Sequence, residues 1–250
     1  TDRRCRAEGA SAVGGAETQA RVFHHCQTMV CSQIEHIVVR ANRLNRAVLA
    51  ALVGSSLAIA GTLMQAMTRN GLASPSLLGI NAGALFFVAL AFTFLSLTRL
   101  QDYIYIAFFG AAIAGILVYS LGMTGSASRS PVSIVLAGAA ITALFLAFTQ
   151  GLLILNRESL EGILYWLGGS VAGKPLSSVL PFLPFYGIAL IGTALLVRQI
   201  NLMMLDDDVA RSLGQRVAVT RLALGVVIIL LAGGAVALAG MIGFIGLIIP

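Results

Sequence analysis

The chain is 250 residues long, 58% hydrophobic and only 10% charged, with a mean hydropathy of +0.93; ordinary soluble domains carry about 25% charged residues. That composition excludes a soluble globule and makes the bilayer the solvent. The net charge of +6 comes without any basic patch interleaved with aromatics, which excludes nucleic acid as a partner and suits lipid-facing loops.

Residues 1–36 are polar, with no apolar run long enough to span and no signal-peptide layout, and are set apart as a segment without a readable role. All three cysteines (Cys5, Cys26, Cys31) and all three histidines (His24, His25, His36) lie here. "HHCQTMVC" has no zinc-ligand spacing, so no metal and no cofactor is expected. From 37 to 250 the sequence alternates apolar runs with polar punctuation, and a run of ~20 apolar residues crosses a bilayer. The first covers about 47–67, closed by "TRNGLASPS". The second covers 77–97, closed by Arg99, Gln101 and Asp102, and the third 103–121, closed by "GMTGSASRSP". The fourth covers 133–155, closed by "NRESLEG"; after the short piece "ILYWLGG" the fifth covers 176–197. A polar stretch, "RQINLMMLDDDVARSLGQRVAVTR", leads to the sixth at 222–239, and a seventh begins in "GFIGLIIP". The expected fold is an all-α polytopic bundle of six to seven transmembrane helices. A chain that starts at Thr1 and stops inside an apolar run is expected to be a fragment, truncated at its C-terminal end.

Small residues recur at three- and four-residue spacing, as at Gly54, Ala58 and Gly61 or Gly110, Ala114 and Gly115. Such faces let helix backbones approach where lipid removes the hydrophobic drive. None of the six runs contains an Asp, Glu, Lys, Arg or His. Proton- and ion-coupled carriers need buried ionisable groups, so a self-powered carrier is disfavoured. "GGSVAGKP" begins like a phosphate-cradling loop, with Gly168, Gly173 and Lys174 at G-x-x-x-x-G-K. The magnesium-binding hydroxyl is replaced by Pro175, and no βαβ unit surrounds it. If ATP powers this chain, another subunit binds it, and the chain is not itself an enzyme.

In "LMMLDDDVARSLG", Asp206, Asp207 and Asp208 stand where a short helix begins, favourable for its dipole, and Gly214 where it ends. An amphipathic helix of this kind either docks in a partner's groove or lies in the lipid interface. Arg40, Arg43 and Arg46 precede the first span, and the positive-inside rule would keep them in the cytoplasm. With the first span entering from outside, Arg69, Arg129, Arg198, Arg211, Arg216 and Arg221 lie inside, against Arg99, Arg157 and Lys174 outside. Counting Arg40, Arg43 and Arg46 as well gives six against six, so either the orientation is reversed or these arginines stay outside for a specific reason, such as an acidic partner.

The stretch "RLNRAVLAALVGSSLAIAGTLMQAMTRNGLASPSLLGINAGA" resembles the FecCD/BtuC family, the permease subunits of ABC importers for iron–siderophore complexes and vitamin B12. "YWLGGS" (165–170), "LMMLDDDVARSLG" and "ALAGMIGFIGLIIP" agree with it in the same order, so the resemblance covers about 37–250. "LASPSLLGIN" and "ILYWLGGSV" lean toward ferric citrate permeases. The resemblance implies about ten helices per subunit and a second permease subunit, identical or paralogous. It also implies cytoplasmic ATPase subunits, a periplasmic substrate-binding protein and a multi-pass place in the bacterial inner membrane. It implies docking of the binding protein on Arg43 and Arg46, with Asn45 in place of the family's proline. It implies a cytoplasmic gate at Asn70 and Leu72, where Gly71 replaces a proline and a looser or differently shaped gate is expected, completed by Ser130 and Pro131. The loop holding Asp206, Asp207, Asp208, Ala210, Arg211, Leu213 and Gly214 implies the surface that seats in the ATPases. Two departures stand against it: the family's first helix has no counterpart in 1–36, and the last helices are missing after Pro250. The rival readings are an ATP-independent carrier or channel and a truncated, non-transporting remnant.

Overall fold

The computed structural model describes residues 43–95, 100–122, 131–155, 163, 166–171, 174, 179–205, 207–242 and 245–248. Among these, every regular element is helical. The α-helices are α1 (Leu44–Thr68), α2 (Ile80–Phe94), α3 (Leu100–Gly122), α4 (Pro131–Leu155), α5 (Leu183–Met203), α6 (Asp207–Ser212), α7 (Val217–Ala239) and α8 (Ile245–Ile248). Short 3-10 turns precede α2 (Pro75–Leu78) and α5 (Leu180–Phe182). Five helical segments are long and apolar enough to cross a membrane: α1, α3, α4, α5 with its leading turn, and α7.

Several hydroxyls inside these spans are satisfied locally. Ser56 donates to Leu52 O at 2.7 Å, Thr62 to Ala58 O at 3.0 Å, Thr149 to Phe145 O at 2.7 Å and Thr193 to Ala189 O at 2.8 Å. Each hydroxyl bonds back one turn, the low-cost arrangement where no water is at hand.

Three spans depart from the sequence expectation. The second run does not form one helix from 77. Pro75 opens a 3-10 turn, Gly79 takes a left-handed φ of 68°, and α2 then runs for only 15 residues. At 1.5 Å per residue that is about 22 Å, short of a ~30 Å hydrocarbon core. The fifth span follows the turn at Val179, runs from Leu180 and continues to Met203, past the expected 197; its expected start at 176 lies outside the described residues. Pro181 and Pro184 fit the first turn of a helix rather than its interior, and each stands at the head of its helical segment. At its other end Arg198 and Gln199 are carried inside the helix. The sixth begins at Val217 rather than 222. Arg221, read from sequence as a loop residue, is therefore helical and only 4% exposed.

The unit from Leu49 onward packs around α7, the most enclosed span, while α5 is the most exposed. Glycines set the close approaches. A methyl at Gly83 would lie 2.6 Å from Gly110 O, so α2 and α3 meet backbone to backbone. A methyl at Gly138 would overlap the Leu77 carbonyl oxygen, which seats α4 on the 3-10 turn before α2. A methyl at Gly233 would lie 3.3 Å from Ala111 Cβ, bringing α7 onto α3. Phe86 and Phe145 stack at 5.2 Å between α2 and α4, and Phe92 and Tyr103 at 4.2 Å between α2 and α3.

Candidate gate and coupling segment

Side-chain contacts define two ends of the bundle. At one end Tyr119, late in α3, donates to Ala218 O at the start of α7 at 3.3 Å. There Ser133 of α4 donates to Gly122 O at the end of α3 at 2.9 Å. The same end receives the last residues of α1 and α5, because Arg69 Nε donates to Met203 O at 2.9 Å. At the opposite end Tyr105 of α3 stacks on Phe182 at 5.6 Å. Lys174 also lies at that opposite end, where its Nζ donates to Leu238 O near the end of α7. Burial pushes the Lys174 ammonium below the usual lysine value. The lysine of the phosphate-loop look-alike thus binds the C-terminal turn of a membrane helix, where a cation meets the negative end of the dipole.

The candidate gate residues follow α1 directly. Arg69 adopts a left-handed φ of 50°, a conformation costing roughly 1–2 kcal/mol for a residue with a Cβ. Asn70 N–H then donates to Gln65 O at 3.2 Å, the bond that closes a helix on a left-handed residue. Asn70 Oδ1 accepts from Leu72 N–H at 2.9 Å, and Ala73 N–H donates to Asn70 O at 3.0 Å. An asparagine bonding the backbone two residues on is a turn former in its own right. The turn is therefore closed by hydrogen bonds although Gly71 stands where the family pattern has proline. Leu72 projects from it, 78% exposed. Of the second gate pair, Pro131 opens α4, and Ser130 lies outside the described residues.

The coupling candidates form a compact helix-and-turn. Asp207 and Asp208 open α6, and Asp206 lies outside the described residues. Gly214 takes a φ of 82°, with Gly214 N–H donating to Arg211 O at 2.9 Å and Gln215 N–H to Ala210 O at 3.0 Å. Those two bonds are a Schellman cap, which needs a residue without a Cβ penalty at that glycine. Ala210 is fully buried, while Val209, Arg211 and Leu213 are exposed. Gln215 Nε2 donates to Gln199 O at 2.9 Å and ties the end of α6 back to α5. The described gate and coupling residues thus gather at one end of the bundle. Arg43 precedes α1, Arg46 lies in its first turn, and both are exposed.

Residues 10–250 match the FecCD transport family. The chain belongs to that family. The match starts at residue 10, well before the quoted motifs, the first of which begins at Arg43. Among FecCD-type permeases, the chain is 44% identical to the Probable siderophore transport system permease protein YfiZ of Bacillus subtilis, over 95% of this chain and 71% of that protein. It is 40% identical to the Fe(3+)-citrate import system permease protein YfmD of the same organism, over 86% of this chain and 64% of that protein. It is 36% identical to the Fe(3+) dicitrate transport system permease protein FecC of Escherichia coli, over 95% and 71%. A solved metal-chelate type ABC transporter in an inward-facing conformation superposes with a TM-score of 0.78 at 27% identity, covering 86% of this chain and 68% of that one. The all-α multi-pass architecture is that of a membrane transport permease of the bacterial inner (plasma) membrane.

Sequence reasoning missed two contacts at this end: the Arg69–Met203 bond and the burial of Arg221. The first had a faint signal, an arginine between a helix end and an asparagine turn. The second had one too, since Arg221 stands in the largely apolar stretch "VAVTRLAL", and α7's early start encloses it.

Proposed function

We propose that the chain is the transmembrane permease subunit of a binding-protein-dependent ABC importer for iron(III) chelates of the siderophore or ferric citrate class. ATP is hydrolysed by separate cytoplasmic subunits, and a second permease subunit completes the path. The names of the relatives support the substrate class. The observation that carries the mechanism is the meeting of the Asn70/Leu72 turn and α6 at one end of the bundle, which this reading assigns to the cytoplasm. A gate and the surface that receives ATPase motion must share that side.

In this mechanism the loaded binding protein docks outside, on Arg43 and Arg46. ATP binding and hydrolysis displace α6 through its exposed Val209, Arg211 and Leu213. The helices tilt, and the constriction at Asn70 and Leu72, with Ser130 and Pro131, opens and closes. The spans carry few charges, which suits passage of a bulky anionic chelate, since a strong cationic site would hold it too tightly to release.

The full-length permease, reconstituted in liposomes with its ATPase subunits and binding protein, is expected to import radiolabelled ferric siderophore or ferric citrate only when ATP is present. Equal import by the permease alone would instead establish an ATP-independent carrier.

A further inference from the structure

We propose that Arg69 is a coupling residue that makes the gate turn and the head of α6 move as one piece. The inference rests on the importer reading above but adds a residue to it.

Met203 is the last residue of α5, and only three residues separate it from α6. Its carbonyl belongs to the final turn, where oxygens lack an intrahelical partner and carry the negative end of the helix dipole. A guanidinium donating to that oxygen at 2.9 Å is a charge-assisted bond, stronger than a neutral one. On the other side, the residue next to Arg69 is Asn70, whose side chain holds the Leu72 N–H. Arg69 therefore stands between the carbonyl that leads into α6 and the turn that presents Leu72.

Two further features make the connection stiff. Arg69 sits in the left-handed region and is fixed there by the Asn70 N–H bond to Gln65 O. Past α6, the Gln215 side chain returns to Gln199 O, one turn before Met203. A push on α6 is thus passed to the last turn of α5 from both sides, and from Met203 O to Arg69. The guanidinium thus adds a direct hydrogen bond between the gate turn and the segment leading into α6, beyond the packing of α1 and α5.

The testing variant is Arg69→Gly, because glycine accepts the left-handed φ and removes only the side chain. Spin labels at Leu72→Cys and Val209→Cys, both exposed, report the separation of the turn and α6 in full-length permease in nanodiscs. Cys5, Cys26 and Cys31 are replaced by Ser in this background. The distance distribution is expected to be narrow with Arg69 and to broaden in Arg69→Gly; an unchanged distribution overturns the proposal. In the assembled transporter, Arg69→Gly is expected to keep ATP hydrolysis and subunit association. Substrate imported per ATP should fall on the order of tenfold, the effect of losing one hydrogen bond to a charged group. Wild-type import per ATP in the variant also overturns it, as does loss of ATPase association, which would make Arg69 a structural support of α6. If the wild-type permease itself fails to associate with ATPase subunits, the importer reading fails, while the spin-label distances still decide whether Arg69 joins the two segments.

Discussion

Gly138 and Gly151 both lie on α4, and only their surroundings tell them apart. A methyl at Gly138 would overlap Leu77 O, whereas Gly151 faces open space. The Gly138→Ala variant must push α4 off the turn before α2, and overpacking of this kind costs about 1–3 kcal/mol. It is expected to lower the thermal unfolding midpoint in detergent. Gly151→Ala removes a helix-interior glycine without a clash and should be neutral or stabilising by up to ~1 kcal/mol. Equal behaviour of the two variants would show that the close approach does not hold the bundle. The same logic covers the hydroxyls of the spans. Ser56, Thr149 and Thr193 look polar in the sequence but spend their donors on their own helices, so they offer little to a passing substrate.

At the scale of an element, α6 is short, with only Asp207–Ser212 in helical form. A helix of that length has no independent stability in water. Its Schellman cap at Gly214 and the Gln215 bond to α5 hold it in place. Ala210 faces the bundle, and Val209 and Leu213 face away from it. Apolar residues held outward on a tethered helix are expected to fill a groove in the ATPase. Val209→Glu with Leu213→Glu should abolish co-purification with the ATPase subunits while leaving the unfolding midpoint of the permease unchanged, because neither residue is in its core. Retained association would move the contact elsewhere. Gly214→Ala should instead act on the permease itself, since any Cβ is strained at that φ.

For the whole molecule, the proposed function calls for two separate contacts: with ATPases at α6 and with a binding protein at Arg43 and Arg46. Complementary charges across a rim mainly govern encounter rate and partner choice, and like charges in contact repel. Arg43→Glu with Arg46→Glu is expected to weaken binding of the loaded binding protein by about tenfold or more, measured with full-length permease in nanodiscs. Binding of the ATPases should be unaffected. Unchanged affinity for the binding protein would remove these arginines from the docking site. The many exposed apolar side chains of α4 and α5, such as Leu136, Phe148, Ile188 and Leu195, suit lipid or a second subunit and need no further explanation in a membrane bundle.

The sequence by itself determined the solvent, the helical class and the order of the polar and apolar segments, because apolar length and the punctuation between runs are local properties. It also marked the turn at Asn70 and the cap at Gly214, whose chemistry is carried by one or two residues. Tertiary structure alone decided where α7 begins, that Arg221 is enclosed, and which glycines sit against a neighbouring backbone. It also decided that Arg69 reaches Met203, a residue 134 positions away. These outcomes depend on which backbone lies a few ångströms from which, and no spacing along the chain encodes that.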